Sequence, residues 1–434
     1  MTKPAFDFLA ELRWRGLLYQ RTAEDQLDAH LATGPRVAYC GFDPTAPSLT
    51  HGNLVPLMLL AHWQRSGHRP LALVGGGTGL IGDPSGRDDE RPLLGREEVE
   101  ANVKAQQRIF ERVLDFDSGN PVAARRVNNL DWLGELRFLD VLRDVGKHFS
   151  VNAMVGRESV RARLEDRTQG ISYTEFSYSI LQAYDFLHLH RTEGCTLQVC
   201  GSDQFGNVVS GIDLIHRTLG HEADAYGVTA PLVTRSDGKK FSKSSGTAVW
   251  LTADRTSPYA FYQYWLNVPD TDVVPFLKIY TLLPREEIEA LAARQEAAPH
   301  ERAGQRALAA DVTDRLHGAD ERRRVEAANE AVFGEGELRD VAADTLEQLT
   351  AELPTSSHGM ASLGAGVSLI DLLPETTLAS SKREAREFLK NGAIWVNGKR
   401  AEEPFELGSG DLLHGRTVLL RRGKKRWHAV QWTP

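Results

Sequence analysis

Cysteine is scarce in this sequence, and long apolar runs are missing from it. The 434 residues include three cysteines, Cys40, Cys195 and Cys200, and no CxxC pair. An odd number with this spacing argues against a disulfide framework or a zinc site and indicates a reducing, cytoplasmic environment. No run of about 18 uncharged apolar residues occurs, so we expect no membrane span. The N-terminal residues carry acids and lack a continuous apolar segment, so we expect no signal peptide.

Positive charge is also in short supply, but it is unevenly distributed. The formal net charge is −8, which by itself disfavours nucleic-acid binding. Residues 382–434, however, contain 12 Lys and Arg against 6 Asp and Glu, so this part carries +6 and the remainder −14. A basic C-terminal part on an acidic body indicates a surface that binds nucleic acid.

Short apolar strands and amphipathic helices alternate in the first half of the chain, which predicts an α/β domain with a parallel sheet. We expect strands at 36–42, 70–76, 195–201 and 228–233. We expect helices at 53–67, 97–115, 135–145, 150–165 and 174–187. From about residue 255 to 350 the sequence is rich in Ala, Glu and Arg with helical spacing, which predicts helices. The predicted domains are an α/β domain at 1–250, a helical domain at 251–352, a linker at 353–366 and a small α+β domain at 367–434.

A glycine-rich turn, GGGTGLIGDPSG, follows the predicted strand at 70–76. Its Gly77-x-Gly79-x-x-Gly82 spacing matches a dinucleotide-binding turn. Asp83-Pro84 follows at once, and proline disfavours the helix that would receive a pyrophosphate. We therefore interpret the segment as a turn that lets the backbone approach a ligand. Asp83 is either a turn-capping residue or a carboxylate that binds an ammonium group.

Two further segments have residue types that suit phosphate groups. PSLTHGNL, residues 47–54, places Thr50 before a helical pattern, which predicts an N-cap and a helix start that attracts anions. RSDGKKFSKSSGT, residues 235–247, holds Lys240 and Lys243 among Ser and Gly. Such a segment is either a solvated surface loop or a loop that brings two cations to a phosphate chain.

The segment 173–190 predicts a helix on which Tyr178, Gln182 and Asp185 share one face, because their spacing is i, i+4 and i+7. Asp185 lies among apolar and aromatic residues, where an unpaired carboxylate is costly. It therefore either pairs with a neighbour or accepts a hydrogen bond from a bound hydroxyl. CGSDQFGN, residues 200–207, follows a predicted strand at its carboxyl end, where open α/β sheets bind ligands.

The basic C-terminal part predicts a helix capped by Ser380 or Ser381 and ended by Gly392, then a strand that enters an Asn-Gly turn. RRGKKR, residues 421–426, lies between two strand-like stretches. We expect a hairpin whose cations either contact RNA or are merely solvated.

In this order, these motifs resemble those of class I aminoacyl-tRNA synthetases and are similar to the bacterial tyrosyl-tRNA synthetase family. The resemblance rests on PSLTHGNL, the glycine turn with Asp83, FSYSILQAYDF, GSDQFGN and KFSKS, and it runs from about residue 35 to the C-terminus. It implies a Rossmann-like catalytic domain, a helical anticodon-side domain and an RNA-binding domain similar to that of a small-subunit ribosomal protein. Thr50 stands where the family signature begins with His, and Phe205 where Trp is usual.

The resemblance also implies an activity and its site. It implies a homodimeric ligase that uses tyrosine, ATP and tRNA(Tyr), with Mg²⁺ on the phosphates and no protein-bound metal or organic cofactor. The residues expected to bind tyrosine are Tyr39, Asp83, Tyr178, Gln182, Asp185 and Gln198. Those expected to bind ATP are Gly41, Asp43, Thr45, Gly52, Asn53, Arg87, Arg91, Gly201, Asp203, Gln204, Lys240, Lys243 and Ser244. Those expected in catalysis are Thr45, Thr50, Asn53, Lys240 and Lys243. Those expected to bind tRNA are Lys382, Arg383, Arg386, Arg421, Arg422, Lys424, Lys425 and Arg426.

Two other classes of function remain as alternatives. A catalytically weak paralogue that acts as an RNA-binding or regulatory protein is favoured by Thr50 and disfavoured by Asp203, Gln204 and the two lysines of KFSKS. A nucleotide-dependent oxidoreductase is opposed by Asp83-Pro84.

Overall fold

The computed structural model describes residues 6–85, 93–156, 160–161, 164, 171–233, 249–334, 336–364, 366–423 and 425–434. Contacts divide the chain into two compact units. The first unit comprises Met1–Arg255 and Asn267–Leu316, and the second comprises Thr256–Leu266 and His317–Pro434.

A six-stranded sheet organises the first unit, with the order β1-β6-β5-β2-β3-β4. Its strands are β1 Gln20–Arg21, β2 Val37–Phe42, β3 Arg69–Val74, β4 Arg125–Asn128, β5 Cys195–Gly201 and β6 Tyr226–Ala230. Strand β2 is parallel to both β3 and β5, and only the edge strand β1 runs antiparallel to its neighbour in this sheet. The chain leaves β2 towards β3 on one side and reaches β5 on the other. The carboxyl ends of β2 and β5 therefore flank a topological switch point, where such sheets bind ligands. The predicted α/β class is confirmed.

Helix α10, Pro258–Leu266, belongs to the second unit. The described helices of the first unit are α1 Phe8–Arg15, α2 Glu24–Ala32, α3 His51–Arg65, α4 Arg96–Val113, α5 Leu130–Leu133, α6 Phe138–Asp140, α7 Val151–Val155, α8 Tyr173–Glu193, α9 Phe205–Leu219, α11 Asp270–Tyr280, α12 Arg285–Ala297 and α13 Ala303–His317. Helix α3 begins as predicted, with Thr50 at its N-cap. The side-chain oxygen of Asn53 accepts hydrogen bonds from the Thr50 backbone N–H at 3.1 Å and the Thr50 hydroxyl at 3.0 Å. Helix α8 starts at its Ser172 cap and ends at Gly194, whose φ is +63°.

The predicted helix at 135–145 is wrong in detail. Helical structure begins at Phe138 rather than at 135, because α6 spans Phe138–Asp140 and continues directly into a π-helical turn at Val141–Val145. The short helix α5 ends at Leu133, before the predicted range. Of the predicted helix at 150–165, the structure describes α7 and residues 156, 160, 161 and 164.

The second unit is built from helices and a five-stranded sheet. Its helices are α10 Pro258–Leu266, α14 Ala319–Phe333, α15 Ala343–Ala351, α16 Met360–Leu363, α17 Leu369–Leu372 and α18 Lys382–Lys390. Its strands are β7 Thr355–Gly359, β8 Val367–Ser368, β9 Ile394–Val396, β10 Lys399–Arg400, β11 Glu406–Leu407, β12 Thr417–Arg422 and β13 Arg426–Thr433. The sheet order is β10-β9-β12-β13-β7, and β8 pairs separately with β11. Ser381 caps α18 and an Asn-Gly turn joins β9 to β10, both as predicted.

The predicted linker at 353–366 is wrong, because five of its residues form strand β7 at the edge of that sheet. β7 pairs in parallel with β13, with Thr355 opposite Ala429 at one end and Gly359 opposite Thr433 at the other. The Ser356 hydroxyl lies 3.2 Å from His358 Nε2 and 3.1 Å from His428 Nε2. A polar edge strand of this kind has the composition of a linker, which explains the error.

The helical stretch 251–352 also divides differently from the predicted domain. Helices α11, α12 and most of α13 belong to the first unit, whereas α10, α14 and α15 belong to the second. Helical periodicity predicts a helix but not the neighbours against which it packs.

One histidine is buried in the first unit without hydrogen bonds. His62 of α3 is fully buried, and neither ring nitrogen has a hydrogen-bond partner in the described part of the chain. Burial, together with the cations of Arg15, Arg65 and Arg315, holds its pKa well below the usual range. The unfolded chain therefore binds a proton below about pH 6.5 that the folded chain does not, so His62 lowers stability as the pH falls.

Replacement of His62 by leucine is expected to raise the free energy of unfolding by about 1–2 kcal/mol, because it removes a desolvated polar ring from the interior. Urea unfolding at pH 7.5 and pH 5.5 measures this, and the variant is expected to lose less stability than wild type between them. His68→Leu is the control, because buried His68 accepts a hydrogen bond from the Arg36 N–H and stacks on Trp63. That control is expected to be destabilised, and a destabilised His62→Leu would contradict the prediction.

Candidate active site

Several of the predicted site residues come from two neighbouring parallel strands and from helix α8. Tyr39 lies on β2 and Gln198 on β5, and Asp43, which is expected on the nucleotide side, directly follows β2. Helix α8 contributes Tyr178 and Asp185. A direct hydrogen bond joins Tyr178 to Asp43, and Asp185 is held by donors that follow β4.

Tyr39 and Asp185 form the most deeply buried part of the cluster. The Tyr39 side chain is 1% exposed, its ring packs 5.3 Å from that of Phe186, and its hydroxyl has no hydrogen-bond partner among the described residues. Asp185 is 2% exposed and accepts hydrogen bonds from Asn129 Nδ2 at 2.9 Å and Trp132 Nε1 at 2.8 Å. Burial raises the pKa of Asp185 to about 8, although both donors favour the charged form. Asp185 lies close enough to Tyr39 for its charge, after burial, to raise the pKa of the Tyr39 hydroxyl. A buried acceptor and a hydroxyl without a partner among the described residues together suit a ligand hydroxyl that both donates and accepts.

A second carboxylate lies on the other side of Thr78. Asp43 accepts from the Thr78 hydroxyl at 2.7 Å and from the Tyr178 hydroxyl at 2.8 Å, one on each oxygen. Thr78 in turn accepts from Asn129 Nδ2 at 2.9 Å. Asn129 therefore donates to both Thr78 and Asp185.

Asp83 caps its turn, which is one of the two roles that the sequence left open. One oxygen accepts from the Ser85 N–H at 2.9 Å and so caps the turn, and the other accepts from Gln204 Nε2 at 2.6 Å. Asn207 Nδ2 lies 3.0 Å from both Gln182 Oε1 and Gln204 Oε1 and extends this polar cluster. Burial raises the pKa of Asp83 to about 6, whereas its hydrogen bonds with Ser85 and Gln204 favour the charged form.

The residues expected on the nucleotide side are more accessible. Gly41, Gly52 and Asp203 are exposed, and Thr45, Asn53 and Gly201 are half-buried. Gln198 is buried, and its Oε1 lacks a partner in the described part of the chain. Arg87, Arg91, Lys240, Lys243, Ser244 and Lys424 lie outside the described residues.

The glycine turn packs against side chains rather than opening a helix. A Cβ on Gly75 would lie 2.2 Å from Asp43 Oδ1 and 2.4 Å from Thr78 Oγ1. A Cβ on Gly76 would lie 2.3 Å from Asn128 Oδ1. A short 3₁₀ turn, Thr78–Leu80, follows in place of the helix of a dinucleotide-binding motif. These glycines are therefore required because the side chains of Asp43, Thr78 and Asn128 approach the backbone so closely.

His51, the second residue of the signature segment, faces the protein. It is 1% exposed, and its Nδ1 accepts a hydrogen bond from the Val249 N–H at 3.3 Å. The backbone N–H of His51 donates to the Val249 carbonyl at 3.0 Å, next to an isolated antiparallel β-bridge between Thr50 and Trp250. Burial lowers the pKa of His51 to about 4, so the ring is neutral. The imidazole thus stabilises the backbone at 249 and does not present a cation.

Two of the arginines expected to bind tRNA are occupied within the second unit. Arg421 lies over the rings of Trp395 at 4.4 Å and Trp427 at 5.2 Å. Arg422 donates to the Leu378 carbonyl at 2.6 Å. By contrast, the remaining described members of the set are exposed: Lys382, Arg383, Arg386, Lys425 and Arg426.

Sequence reasoning missed three residues of the site, namely Thr78, Asn129 and Trp132. Thr78 lies inside the glycine turn, and the other two follow β4 at its carboxyl end in the stretch VNNLDW. Polar residues at the end of a predicted parallel strand are the signal that could have found them, but β4 was not predicted.

Among the described residues, no group of three or more His, Cys, Asp or Glu side chains is arranged to hold a metal ion. In the same part of the chain, we find no helix with the length and apolar character needed to cross a membrane.

Comparison with known proteins defines the class first. Residues 31–334 match the family model "tRNA synthetases class I (W and Y)". Residues 345–430 match the model "Tyrosine--tRNA ligase SYY-like C-terminal domain". Together the two matches span most of both units, so the fold is that of a class I aminoacyl-tRNA synthetase.

Individual relatives narrow the assignment. The chain is 48% identical over 428 residues to the tyrosine–tRNA ligase of Bacillus caldotenax, covering 98% of this chain and all of that protein. It is 46% identical over 425 residues to that of Staphylococcus saprophyticus, covering 98% and 99%. A C-terminally truncated mitochondrial tyrosyl-tRNA synthetase from Aspergillus nidulans superimposes with a TM-score of 0.67 at 30% identity, covering 75% of this chain and 94% of that one. The chain belongs to the tyrosine–tRNA ligase family.

Proposed function

We propose that this protein attaches tyrosine to tRNA(Tyr) at the expense of ATP. The observation that carries the proposal is the buried pair of Tyr39 and Asp185, an unpaired hydroxyl beside a carboxylate. A phenol hydroxyl can donate to Asp185 and accept from Tyr39, so one ligand group satisfies both residues. Full-length similarity to tyrosine–tRNA ligases supports the same activity.

The ammonium group of tyrosine is expected beside Asp83, Tyr178 and Gln182. Asp83 supplies a charged acceptor, and its contact with Gln204 fixes the carboxylate in place. An ammonium group donates three hydrogen bonds, which suits a carboxylate, a phenol oxygen and an amide oxygen. Gln198, whose buried Oε1 has no partner among the described residues, is expected near the carboxylate and sugar.

The reaction needs positioning and charge stabilisation rather than a protein nucleophile. In the first step, a carboxylate oxygen of tyrosine attacks the α-phosphorus of ATP, and the bond to pyrophosphate breaks. In the second, the terminal adenosine hydroxyl of tRNA attacks the tyrosyl carbonyl carbon, and AMP leaves. Mg²⁺ is expected to arrive with the ATP phosphates, whose oxygens are the ligands it prefers. Thr50, Gly52 and Asn53 are proposed to lie near the phosphates at the start of helix α3, where Gly52 is exposed and its backbone N–H can face an anion.

The remaining nucleotide-side residues keep the roles expected from the family resemblance. Gly41, Asp43, Thr45, Gly201, Asp203 and Gln204 are proposed to contact ATP. Arg87, Arg91, Lys240, Lys243 and Ser244 are proposed to contact its phosphate groups. The alternative of a catalytically weak paralogue is not favoured, because the chain matches tyrosine–tRNA ligases over their whole length.

Tyrosine-dependent exchange of pyrophosphate into ATP tests this function, and Tyr39→Phe tests the pocket. The variant loses one hydrogen bond to the phenol, worth on the order of 1 kcal/mol, so its preference for tyrosine over phenylalanine should narrow about fivefold. Competition between the two amino acids in the exchange assay measures this. Tyr226→Phe is the control, because the hydroxyl of Tyr226, on β6, donates its hydrogen bond to Asp224 instead. An unchanged preference in Tyr39→Phe would mean that the pocket is misplaced, and no exchange by wild type would overturn the function.

The second unit is proposed to bind tRNA through the exposed cations of α18 and the β12–β13 hairpin. Arg383 and Arg386 are exposed and form no ion pair among the described residues. Arg421 and Arg422 are expected to contribute less, because aromatic rings and a carbonyl already occupy them.

The double variant Arg383→Glu, Arg386→Glu should weaken tRNA charging about tenfold or more at low salt, because phosphate contacts dominate such binding. Pyrophosphate exchange, which needs no tRNA, should be unchanged. Lys399→Glu is the control, since that exposed lysine of β10 pairs with Glu337. Charging that is equally affected in the control, or unaffected in the double variant, would contradict the assignment.

We further propose that the protein is a cytoplasmic homodimer. The three cysteines are free and buried, which suits a reducing compartment. Large apolar side chains are exposed around α6 and α7, including Phe138 at 66%, Leu139 at 75% and Val151 at 63%. Such a group of exposed apolar residues is typical of an interface between copies.

Analytical ultracentrifugation of the full chain should therefore give twice the monomer mass. Leu139→Asp should raise the dissociation constant of the dimer at least tenfold and so shift the mass towards that of the monomer, because it places a charge in an apolar contact. Tyr19→Asp is the control, since Tyr19 is 61% exposed elsewhere on the first unit. A monomeric wild type would contradict the proposal.

A further inference from the structure

Two buried carboxylates of the site are joined by a hydrogen-bond chain that passes through Asn129 and Thr78. Asp185 accepts from Asn129 Nδ2 at 2.9 Å, and the same nitrogen donates to Thr78 Oγ1 at 2.9 Å. The Thr78 hydroxyl then donates to Asp43 Oδ1 at 2.7 Å. Tyr178, on the side proposed to bind ammonium, donates to the other oxygen of Asp43 at 2.8 Å.

The direction of every bond in this chain is fixed by chemistry. An amide nitrogen only donates, so Thr78 must accept from Asn129 and use its single hydrogen towards Asp43. The Asn129 oxygen is held separately, because it accepts from the Gly77 N–H at 2.7 Å. The amide therefore cannot turn over without losing that bond as well.

The chain is also enclosed. Thr78 is 2% exposed and Asn129 is fully buried, so water does not compete for these bonds. No space for a further atom remains between Gly75 and these side chains, since a Cβ on Gly75 would overlap both Thr78 Oγ1 and Asp43 Oδ1. In surroundings of low dielectric constant, linked hydrogen bonds polarise one another and act as a unit.

We propose that Thr78 is a positioning residue that couples recognition of the tyrosine hydroxyl to recognition of its ammonium group. The inference rests on the proposed function. The hydroxyl binds at Asp185 and the ammonium near Tyr178, and both ends require the same orientation of the Asn129 amide and the Thr78 hydroxyl. The ligand group that fixes this orientation first lowers the cost of binding the other. The pocket therefore binds both groups together better than the sum of each alone.

A cycle of four ligands measures this coupling in the full-length protein. The ligands are tyrosine, phenylalanine, 3-(4-hydroxyphenyl)propanoate and 3-phenylpropanoate, which differ only in the hydroxyl and the ammonium group. Their dissociation constants are obtained by competition with labelled tyrosine. The interaction factor is the affinity gained from the hydroxyl when the ammonium is present, divided by the gain when it is absent.

Wild type should give an interaction factor of about fivefold or more. Thr78→Val keeps the shape but lacks the hydroxyl, so its factor should fall close to one. Thr78→Ser keeps the hydroxyl and should retain the wild-type factor. Trp132→Phe is the matched control, because Trp132 bonds to the other oxygen of Asp185 outside the chain. Trp132→Phe should weaken tyrosine binding but leave the interaction factor unchanged. If Thr78 had only a structural role, Thr78→Val would behave in the same way.

Several results would overturn the inference. A factor near one in wild type does so without any variant, and so does a wild-type factor in Thr78→Val. Should Thr78→Val fail to fold, Thr78→Ala provides the same test, and an unchanged factor there is equally decisive. Tyrosine binding with a factor of one overturns only this inference. Failure of wild type to bind tyrosine at all overturns the proposed function with it.

Discussion

A carboxylate that is buried among aromatic rings must be held by hydrogen-bond donors, and the arrangement around Asp185 satisfies this constraint. Asn129 and Trp132 donate to its two oxygens, and both residues follow strand β4. The segment that follows β4 must therefore lie against helix α8 for the acid to meet its donors. The glycine turn after β3 follows from the same requirement, because Thr78 can join the network only where Gly75 leaves room.

Local chemistry explains which parts of the fold could be predicted from the sequence. The cap at Ser381, the Asn-Gly turn and the start of α3 at Thr50 depend on residues within a few positions of one another. The spacing of Tyr178, Gln182 and Asp185 likewise needs only the helical period. The polar strand β7 could not be predicted in this way, because it is a strand only through its pairing with β13 about 75 residues later. Thr78 and Asn129 were missed for the same reason, since they meet across 51 positions.

Residue type alone does not decide the roles of several charged or titratable side chains. Arg421 and Arg422 belong to a basic run that reads as an RNA contact, yet neighbouring strands place aromatic rings and a carbonyl around them. His51 occupies a signature segment, yet its ring accepts a backbone hydrogen bond from Val249. In both cases the neighbours that the fold supplies, rather than the side chain itself, decide which bonds remain available for a ligand.

The unpaired polar atoms of the first unit show how the site differs from its supporting core. His62 has two unpaired ring nitrogens among apolar and cationic neighbours, and nothing in the site uses them. Tyr39 has an equally unpaired hydroxyl, but it lies beside a carboxylate that can share a ligand hydrogen. An unpaired group of either kind reduces the stability of the folded chain. In the proposed tyrosine pocket, a bound phenol would recover that free energy at Tyr39 but not at His62, so the unpaired hydroxyl that weakens the free protein would add to its affinity for the ligand.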